Sequence, residues 1–174
     1  MKLIHKQVDG VRVWFIFISI VVCLLIIAVL LDAPKIVARF PFGASQGTEG
    51  LTKGKVKIDG IVFDVVVADT EAERRQGLSG AAYLADRTGM LFVFPDNDQQ
   101  GIWMKDMKFP IDIIWISENY NIVHIKKDAT PESYPTVFQN SKPARYVLEI
   151  PAGSIETFSF NGLSYLQIDT LFNN

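Results

Sequence analysis

Hydrophobic and polar positions divide the 174-residue chain into an apolar run, a polar connecting stretch and a region of alternating character. Residues 13–31 are nineteen consecutive uncharged positions, and all of them are apolar except Ser19. As a helix, this run would be about 30 Å long, which is the thickness of the hydrocarbon core of a bilayer. The run is longer than the apolar part of a cleaved signal peptide. We therefore expect an uncleaved transmembrane helix at 13–31, preceded by a short cytoplasmic tail at 1–12.

Basic residues on the two sides of this run predict its orientation. Three precede it, Lys2, Lys6 and Arg12, and two follow it closely, Lys35 and Arg39. Cytoplasmic flanks of membrane helices carry the excess of basic residues. The difference favours a single-pass protein of the cell membrane whose C-terminal domain is extracytoplasmic, with the lipid bilayer as the partner of residues 13–31.

The remaining chain is predicted to be a flexible linker followed by one β-rich domain. Residues 32–54 contain two prolines and four glycines, a composition typical of linkers. At the start of the domain, polar and apolar residues alternate over 55–58, the turn dipeptide Asp59-Gly60 follows, and the mostly apolar run 61–67 returns, which predicts a hairpin. Thr70 and Glu73 have the spacing of a capping box, so a short helix is expected to begin at Glu71 and to end at Gly77.

Further apolar segments separated by turn residues predict six more strands, at 90–94, 101–105, 111–117, 122–127, 145–150 and 165–169. Short strands at this spacing are typical of a sandwich or a barrel. We therefore predict that residues 55–174 form a mainly β, compact, sandwich- or barrel-like domain with one or two short helices.

Composition excludes several kinds of chemistry in this domain. The one cysteine of the chain, Cys23, lies in the apolar run, and His124 is the one histidine after the linker. A zinc site built from cysteines and a cysteine nucleophile are therefore excluded, and we expect no metal and no cofactor. From residue 55 to the end there are 11 basic and 16 acidic residues, a net charge of −5. Because nucleic-acid binding requires a basic surface, no nucleic-acid partner is expected.

The polar residues best suited to a site lie between positions 101 and 112. In a strand, Trp103 and Lys105 would share one face while Met104 would point to the other. Asp112 stands between two isoleucines, where burial is expected. A buried carboxylate needs an ionic or hydrogen-bonding partner, and Lys105, Arg145 or backbone N–H groups of a turn could each supply one.

Four blocks of sequence carry a resemblance to a known family. They are ADT…ER…GL at 68–78, GMLFVF at 89–94, WMKD…PIDI at 103–113 and PARYVLE…AG at 143–153. In this order they resemble the domain of unknown function 192 family (DUF192) over about residues 56–169. The resemblance implies a compact, mostly β, sandwich-like domain of the kind found in secreted or membrane-tethered proteins, and it brings no established activity. The family often has Asn-Thr where this chain has Asp106-Met107.

Six residues are the candidate ligand-binding residues, namely Trp103, Lys105, Asp106, Asp112, Arg145 and Glu149. In one interpretation, four of them (Lys105, Asp112, Arg145 and Glu149) form an ion-pair network that holds strands in register. In the other, the set forms the floor of a shallow cleft, where the indole stacks on a ligand and a lysine or arginine binds its anionic group. Tyr134 and Tyr146 would lie at the rim of that cleft.

Two classes of function follow from these candidates. The first is a binding or interaction module of the cell envelope, which would recognise an envelope component, a peptide or another protein. The alternative is a carboxylate-dependent hydrolase that acts on an envelope glycan, with Asp112 and Glu149 as its acid–base pair. Glycoside hydrolysis requires two carboxyl groups about 5–10 Å apart, so this alternative needs both side chains on the same side of the sheet.

Overall fold

The computed structural model describes Phe15 and residues 50–169. The predicted cytoplasmic tail, the predicted membrane helix apart from Phe15 and most of the predicted linker lie outside these residues. Within the described part of the chain, no helix has the length and apolar character needed to cross a membrane.

Residues 50–169 form nine strands, two short α-helices and one turn of 3₁₀ helix. In chain order these are β1 (Thr52–Ile58), β2 (Ile61–Ala68), α1 (Glu71–Gln76), β3 (Thr88–Asp98), β4 (Gly101–Trp103), β5 (Ile111–Ile116), β6 (Ile122–Ala129), the 3₁₀ turn (Pro131–Ser133), β7 (Val137–Gln139), β8 (Ala144–Pro151), α2 (Ser154–Thr157) and β9 (Leu166–Asp169). The predicted hairpin and the predicted short helix are both present. β1 begins at Thr52, three residues before the predicted start of the domain.

Seven of the strands form one curled, half-barrel sheet in the order β6-β5-β8-β3-β2-β1-β9, and β4 pairs with β7 in a separate small sheet. Neighbouring strands are antiparallel except β2 and β3, which are parallel. A parallel pair requires a crossover connection, and residues 69–87, which include α1, supply it. The mainly β prediction with one or two helices is confirmed, and the architecture is a half-barrel with a small second sheet.

The sheet buries apolar side chains on both of its faces. Along β5, Ile113 and Trp115 point to one face, which we call the front, while Ile114 and Ile116 point to the other, the back. Leu78 and other side chains of the crossover pack on the front, together with the small sheet. Ile155 of α2 and the aromatic residues that follow it pack on the back. Because β5 is covered on both faces, all six residues of its IDIIWI segment are buried.

Candidate functional site

An open cleft and a small cavity adjoin each other on the front of the domain, where α1 ends near β4. The cleft has a volume of about 1160 Å³ and the cavity one of about 50 Å³. Both are lined by the end of α1, the loop that follows it and the end of β4, and their shared residues are Arg75, Gln76, Ser79, Trp103 and Lys105. The cavity is therefore the inner part of the cleft.

The position of α1 is determined by its two ends. At its start, the Thr70 hydroxyl accepts a hydrogen bond from the backbone N–H of Glu73 (3.3 Å), and the Glu73 carboxylate accepts one from the N–H of Thr70 (2.9 Å). This is the predicted capping box, which satisfies backbone donors that the first turn leaves free. At its end, Gly77 has a φ of 50° and lies close to β3. A Cβ at this position would be only 3.3 Å from the ring of Phe92. The helix thus stops directly above the front of the sheet.

Arg74 attaches this helix to the sheet. Its Nη1 donates hydrogen bonds to the backbone oxygen of Asp69 and to that of Val93, the second at 2.8 Å. The guanidinium group also lies over the ring of Phe94, 5.4 Å from its centroid. These contacts give Arg74 a structural role, and its side chain also lines the cavity.

Two hydrogen bonds close the wall of the cleft. The hydroxyl of Ser79 donates to the backbone oxygen of Lys105 (2.8 Å), and the N–H of Gly80 donates to the backbone oxygen of Asp106 (3.0 Å). Asp106 has a φ of 56°, so the chain turns sharply at this point. The loop after α1 and the turn after β4 are thereby joined, with Asp106 lining the cleft but not the cavity.

Trp103 and Lys105 form the exposed part of the site. The indole is 47 % exposed and packs edge-on against Tyr134, with ring centroids 6.1 Å apart. The Lys105 ammonium lies 5.9 Å from the centroid of the indole ring. Met104 between them is buried in the core, as predicted. The predicted strand at 101–105 is shorter in the structure, because β4 ends at Trp103 and Lys105 lies in the turn that follows.

Glu149 is buried at the bottom of the site. It lies on β8, opposite Met90 of β3 and Ile113 of β5, and its side chain lines the cavity. The residue is 4 % exposed, and its Oε2 has no hydrogen-bond partner among residues 50–169. Burial disfavours the charged form and raises the pKa of this carboxyl group to about 8. Near neutral pH, Glu149 is therefore mostly a neutral acid that can donate a hydrogen bond into the cavity.

Asp112 lies on the opposite face of the sheet. Its two carboxylate oxygens accept hydrogen bonds from the backbone N–H groups of Asp128 and Ile155, both at 2.9 Å. The backbone alternative to an ionic partner is thus the correct one, and Asp112 fixes α2 and the end of β6 to β5. Since Glu149 points to the front and Asp112 to the back, these two carboxyl groups do not form an acid–base pair.

The predicted ion-pair network is also absent from the described residues. Three ion pairs are present there, Lys55–Asp64, Arg75–Glu71 and Lys127–Glu156, and none of them includes Lys105, Asp112, Arg145 or Glu149. Arg145 lies four residues along β8 from Glu149, about 13 Å away, and lines neither the cleft nor the cavity. Tyr134 lies beside Trp103 as expected, whereas Tyr146 is buried in the core at the back of the sheet.

Comparison of the chain with models of known protein families tests the resemblance carried by the four sequence blocks. Residues 54–162 match DUF192, a family described as "Uncharacterized ACR". The chain belongs to the DUF192 family. No curated protein matches it significantly.

Solved structures that are similar to this DUF192 chain include two with about a quarter of their residues identical to it. One is a protein from Sinorhizobium meliloti 1021 that is named as a candidate transcription regulator, with 27 % identity, a TM-score of 0.64, and coverage of 68 % of this chain and 95 % of the other. The second is a protein of unknown function from Novosphingobium aromaticivorans DSM 12444, with 26 % identity, a TM-score of 0.65, and coverage of 74 % and 94 %. The fold is therefore shared with proteins whose activity is not established.

The DUF192 site contains residues that are not among the six candidates. The cavity is also lined by Gln76, Ser79, Phe92 and Met107, which come from three separate parts of the chain. Phe92 falls in a block of the family resemblance, but nothing local distinguishes it from other core residues. Gln76 and Ser79 lie in the site because the connection between β2 and β3 carries α1 over the front of the sheet. This arrangement depends on contacts between distant parts of the chain, so no short sequence pattern indicates it.

Proposed function

We propose that this DUF192 domain is a ligand-binding module of the cell envelope, held at the membrane by residues 13–31. The observation that carries the proposal is the cleft, where an indole that is 47 % exposed stands beside a cationic side chain. Tryptophan is usually buried, so an indole held rigid at the edge of a cleft is suited to contact a ligand. Lys105 forms no ion pair with any described residue, which leaves its ammonium free for a partner.

The lining of the cleft defines the chemistry of the ligand. The face of the indole fits a flat or weakly polar surface such as a saccharide ring, and the ammonium beside it fits an anionic group. We infer an acidic saccharide of the envelope. Nucleic acid is a poor alternative, despite the name of one similar structure, because residues 55–174 carry a net charge of −5.

Hydrolysis of an envelope glycan with Asp112 and Glu149 as the acid–base pair is excluded by the positions of these two side chains. Glu149, with its raised pKa, has the property of a general acid. The second carboxyl group expected for this reaction, that of Asp112, lies at the back of the sheet and is fully occupied by backbone N–H groups. Incubation of the protein with a glycan, followed by chromatography of the products, separates the two functions, because a binding module leaves the glycan intact.

The binding test uses the full chain in detergent micelles and N-acetylmuramic acid, a saccharide that carries a carboxylate, as the probe. Titration calorimetry should detect binding to the wild-type protein and about tenfold weaker binding to Trp103→Ala, since stacking of the saccharide on the indole is expected to contribute about 1 kcal/mol or more. Lys105→Met should weaken binding in the same direction.

The matched control is Tyr165→Ala, which removes an aromatic side chain that is 68 % exposed and lies in a different groove. It should bind the saccharide as the wild type does. Equal loss in Tyr165→Ala and Trp103→Ala, or no binding to the wild-type protein, would contradict the proposal.

A further inference from the structure

The cavity behind Trp103 contains an acidic side chain that the fold does not use. In folded proteins, nearly all buried polar atoms have hydrogen-bond partners within the protein or with water. Asp112, the other buried carboxylate of the described residues, follows this rule with both of its oxygens. Glu149 is buried to the same degree, yet its Oε2 has no partner among the described residues and its side chain faces the cavity. This oxygen is available to a group that enters from the cleft.

The charged side chains around the cavity determine whether a cationic or an anionic ligand group can bind there. The charged side chains that line it, besides Glu149, are Arg74 and Arg75 of α1 and Lys105 after β4. The strand neighbours opposite Glu149 in the sheet, Met90 and Ile113, are uncharged. Arg75 is paired with Glu71, and Arg74 is bound to backbone oxygens, so Lys105 is the cation among these three that has no anionic or backbone partner in the described residues. A ligand ammonium group would be repelled by it, whereas an anionic group would be attracted. The acidic residues Glu71 and Asp106 line the outer cleft only.

The size of the cavity limits which anionic group can bind in it. A volume of about 50 Å³ is several times the minimum of about 10–15 Å³ that one water molecule needs, so it fits a group of about three heavy atoms. A carboxylate has this size. Because burial keeps Glu149 protonated near neutral pH, its O–H can donate to a carboxylate oxygen without repulsion between two negative charges.

We propose that the Glu149 cavity binds the carboxylate of the cleft ligand, with the protonated side chain of Glu149 donating a hydrogen bond to it and Lys105 supplying the compensating charge. This inference rests on the proposed function, because the cleft must first hold the ligand. It adds that the ligand enters with its carboxylate inward and that binding requires the proton on Glu149.

The experiment compares N-acetylmuramic acid with N-acetylglucosamine, which lacks the carboxylate, on the full chain in detergent micelles. Dissociation constants are measured by titration calorimetry between pH 6 and pH 9.5. The wild-type protein should prefer N-acetylmuramic acid, and its dissociation constant for that ligand should rise about tenfold per pH unit above about pH 8, as Glu149 loses its proton. Histidine and cysteine, whose ordinary pKa values lie near this range, do not line the cavity.

Two variants test the role of Glu149 directly. E149Q keeps a neutral hydrogen-bond donor and cannot ionise, so its dissociation constant should not rise between pH 7 and pH 9.5. E149L removes the donor and should lose about tenfold in affinity for N-acetylmuramic acid, because a charge-assisted hydrogen bond is worth about 1.5–3 kcal/mol, while N-acetylglucosamine should bind it as it binds the wild type. Circular dichroism verifies that both variants are folded.

The results separate this inference from the proposed function. Equal binding of the two saccharides would overturn the inference while leaving the binding module intact. The same would hold if the dissociation constant of E149Q rose with pH as that of the wild type does. Absence of any binding to the wild-type protein would overturn both.

Discussion

At the scale of single residues, Glu149 connects the stability of the domain to pH. Burial raises the pKa of this carboxyl group from 4.5 to about 8 in the folded state. Between these pH values the folded state keeps a proton that the unfolded state has released. The free energy of unfolding should therefore fall by about 1.4 kcal/mol for each pH unit that the pH rises, and this loss should level off above about pH 8.

Urea unfolding of the full chain at several pH values between 5 and 8 measures this effect, with circular dichroism as the signal. Glu149→Gln should gain stability relative to the wild type by about 1.4 kcal/mol per pH unit across the range, because the amide has no proton to lose. Glu118→Gln, which changes an exposed carboxylate, should run parallel to the wild type. A constant difference between wild type and Glu149→Gln would mean that Glu149 is already ionised at pH 5.

The sequence predicted which polar residues are unusual but could not predict their partners. Two flanking isoleucines indicated that Asp112 is buried, and the structure confirms it. The face to which it points depends on the register of β5 against β8, where Asp112 lies opposite Ile150 and Ile113 lies opposite Glu149. This offset of one residue places the two carboxyl groups on opposite faces of the sheet. Register is a property of paired strands, so neither strand shows it alone.

At the scale of elements, the closest approach of two strands depends on Gly89. A Cβ at this position would lie 2.6 Å from the backbone oxygen of Glu149, and a backbone atom cannot move aside as the tip of a side chain can. Gly89→Ala should therefore separate β3 from β8 and reduce the free energy of unfolding by about 3 kcal/mol or more. Urea unfolding of the full chain measures this loss.

Gly162→Ala is the matched control for this prediction. A Cβ at Gly162 would have no atom within 4 Å, so the added methyl group should change stability by less than about 0.5 kcal/mol. Similar stabilities of the Gly89→Ala and Gly162→Ala proteins would show that the strands can adjust without cost.

Elements with a strong local signal were predicted, and those without one were missed. The capping box located α1, and Asp59-Gly60, both with positive φ, located the β1–β2 turn. β7 and α2 have three and four residues, too few for a period of 2 or 3.6 to be visible. The parallel pairing of β2 with β3 was also missed, and it is this crossover that brings the end of α1 to β4 and creates the cleft.

At the scale of the whole molecule, the number and spacing of short strands determined the fold class, whereas the curvature of the sheet did not follow from them. The eight predicted strands could close into a barrel or pack as two sheets, and the sequence did not decide between these architectures. Here the sheet remains open as a half-barrel, and its front is covered by the crossover and the β4–β7 sheet. The cleft lies between the crossover and the β4–β7 sheet. The candidate site therefore exists because the large sheet does not close into a barrel and these two parts cover its front instead.

The orientation of the chain in the membrane is a further prediction at this scale. The excess of basic residues before position 13 predicts that the DUF192 domain is outside the cytoplasm. Leu163 is 96 % exposed at the surface of that domain, so a cysteine placed there is accessible to a reagent from solution. In intact cells, a membrane-impermeant maleimide should label Leu163→Cys, and it should label Gln7→Cys, which leaves the basic residues of the tail unchanged, only after the membrane is permeabilised.

The wild-type protein provides the background for this labelling experiment. Its single cysteine, Cys23, lies within the apolar run at 13–31, where a charged reagent should not reach it, so the wild type should remain unlabelled in both conditions. The opposite pattern, with Gln7→Cys labelled in intact cells and Leu163→Cys labelled only after permeabilisation, would place the domain in the cytoplasm. An envelope saccharide could not then be its ligand, because the cleft and the saccharide would lie on different sides of the membrane.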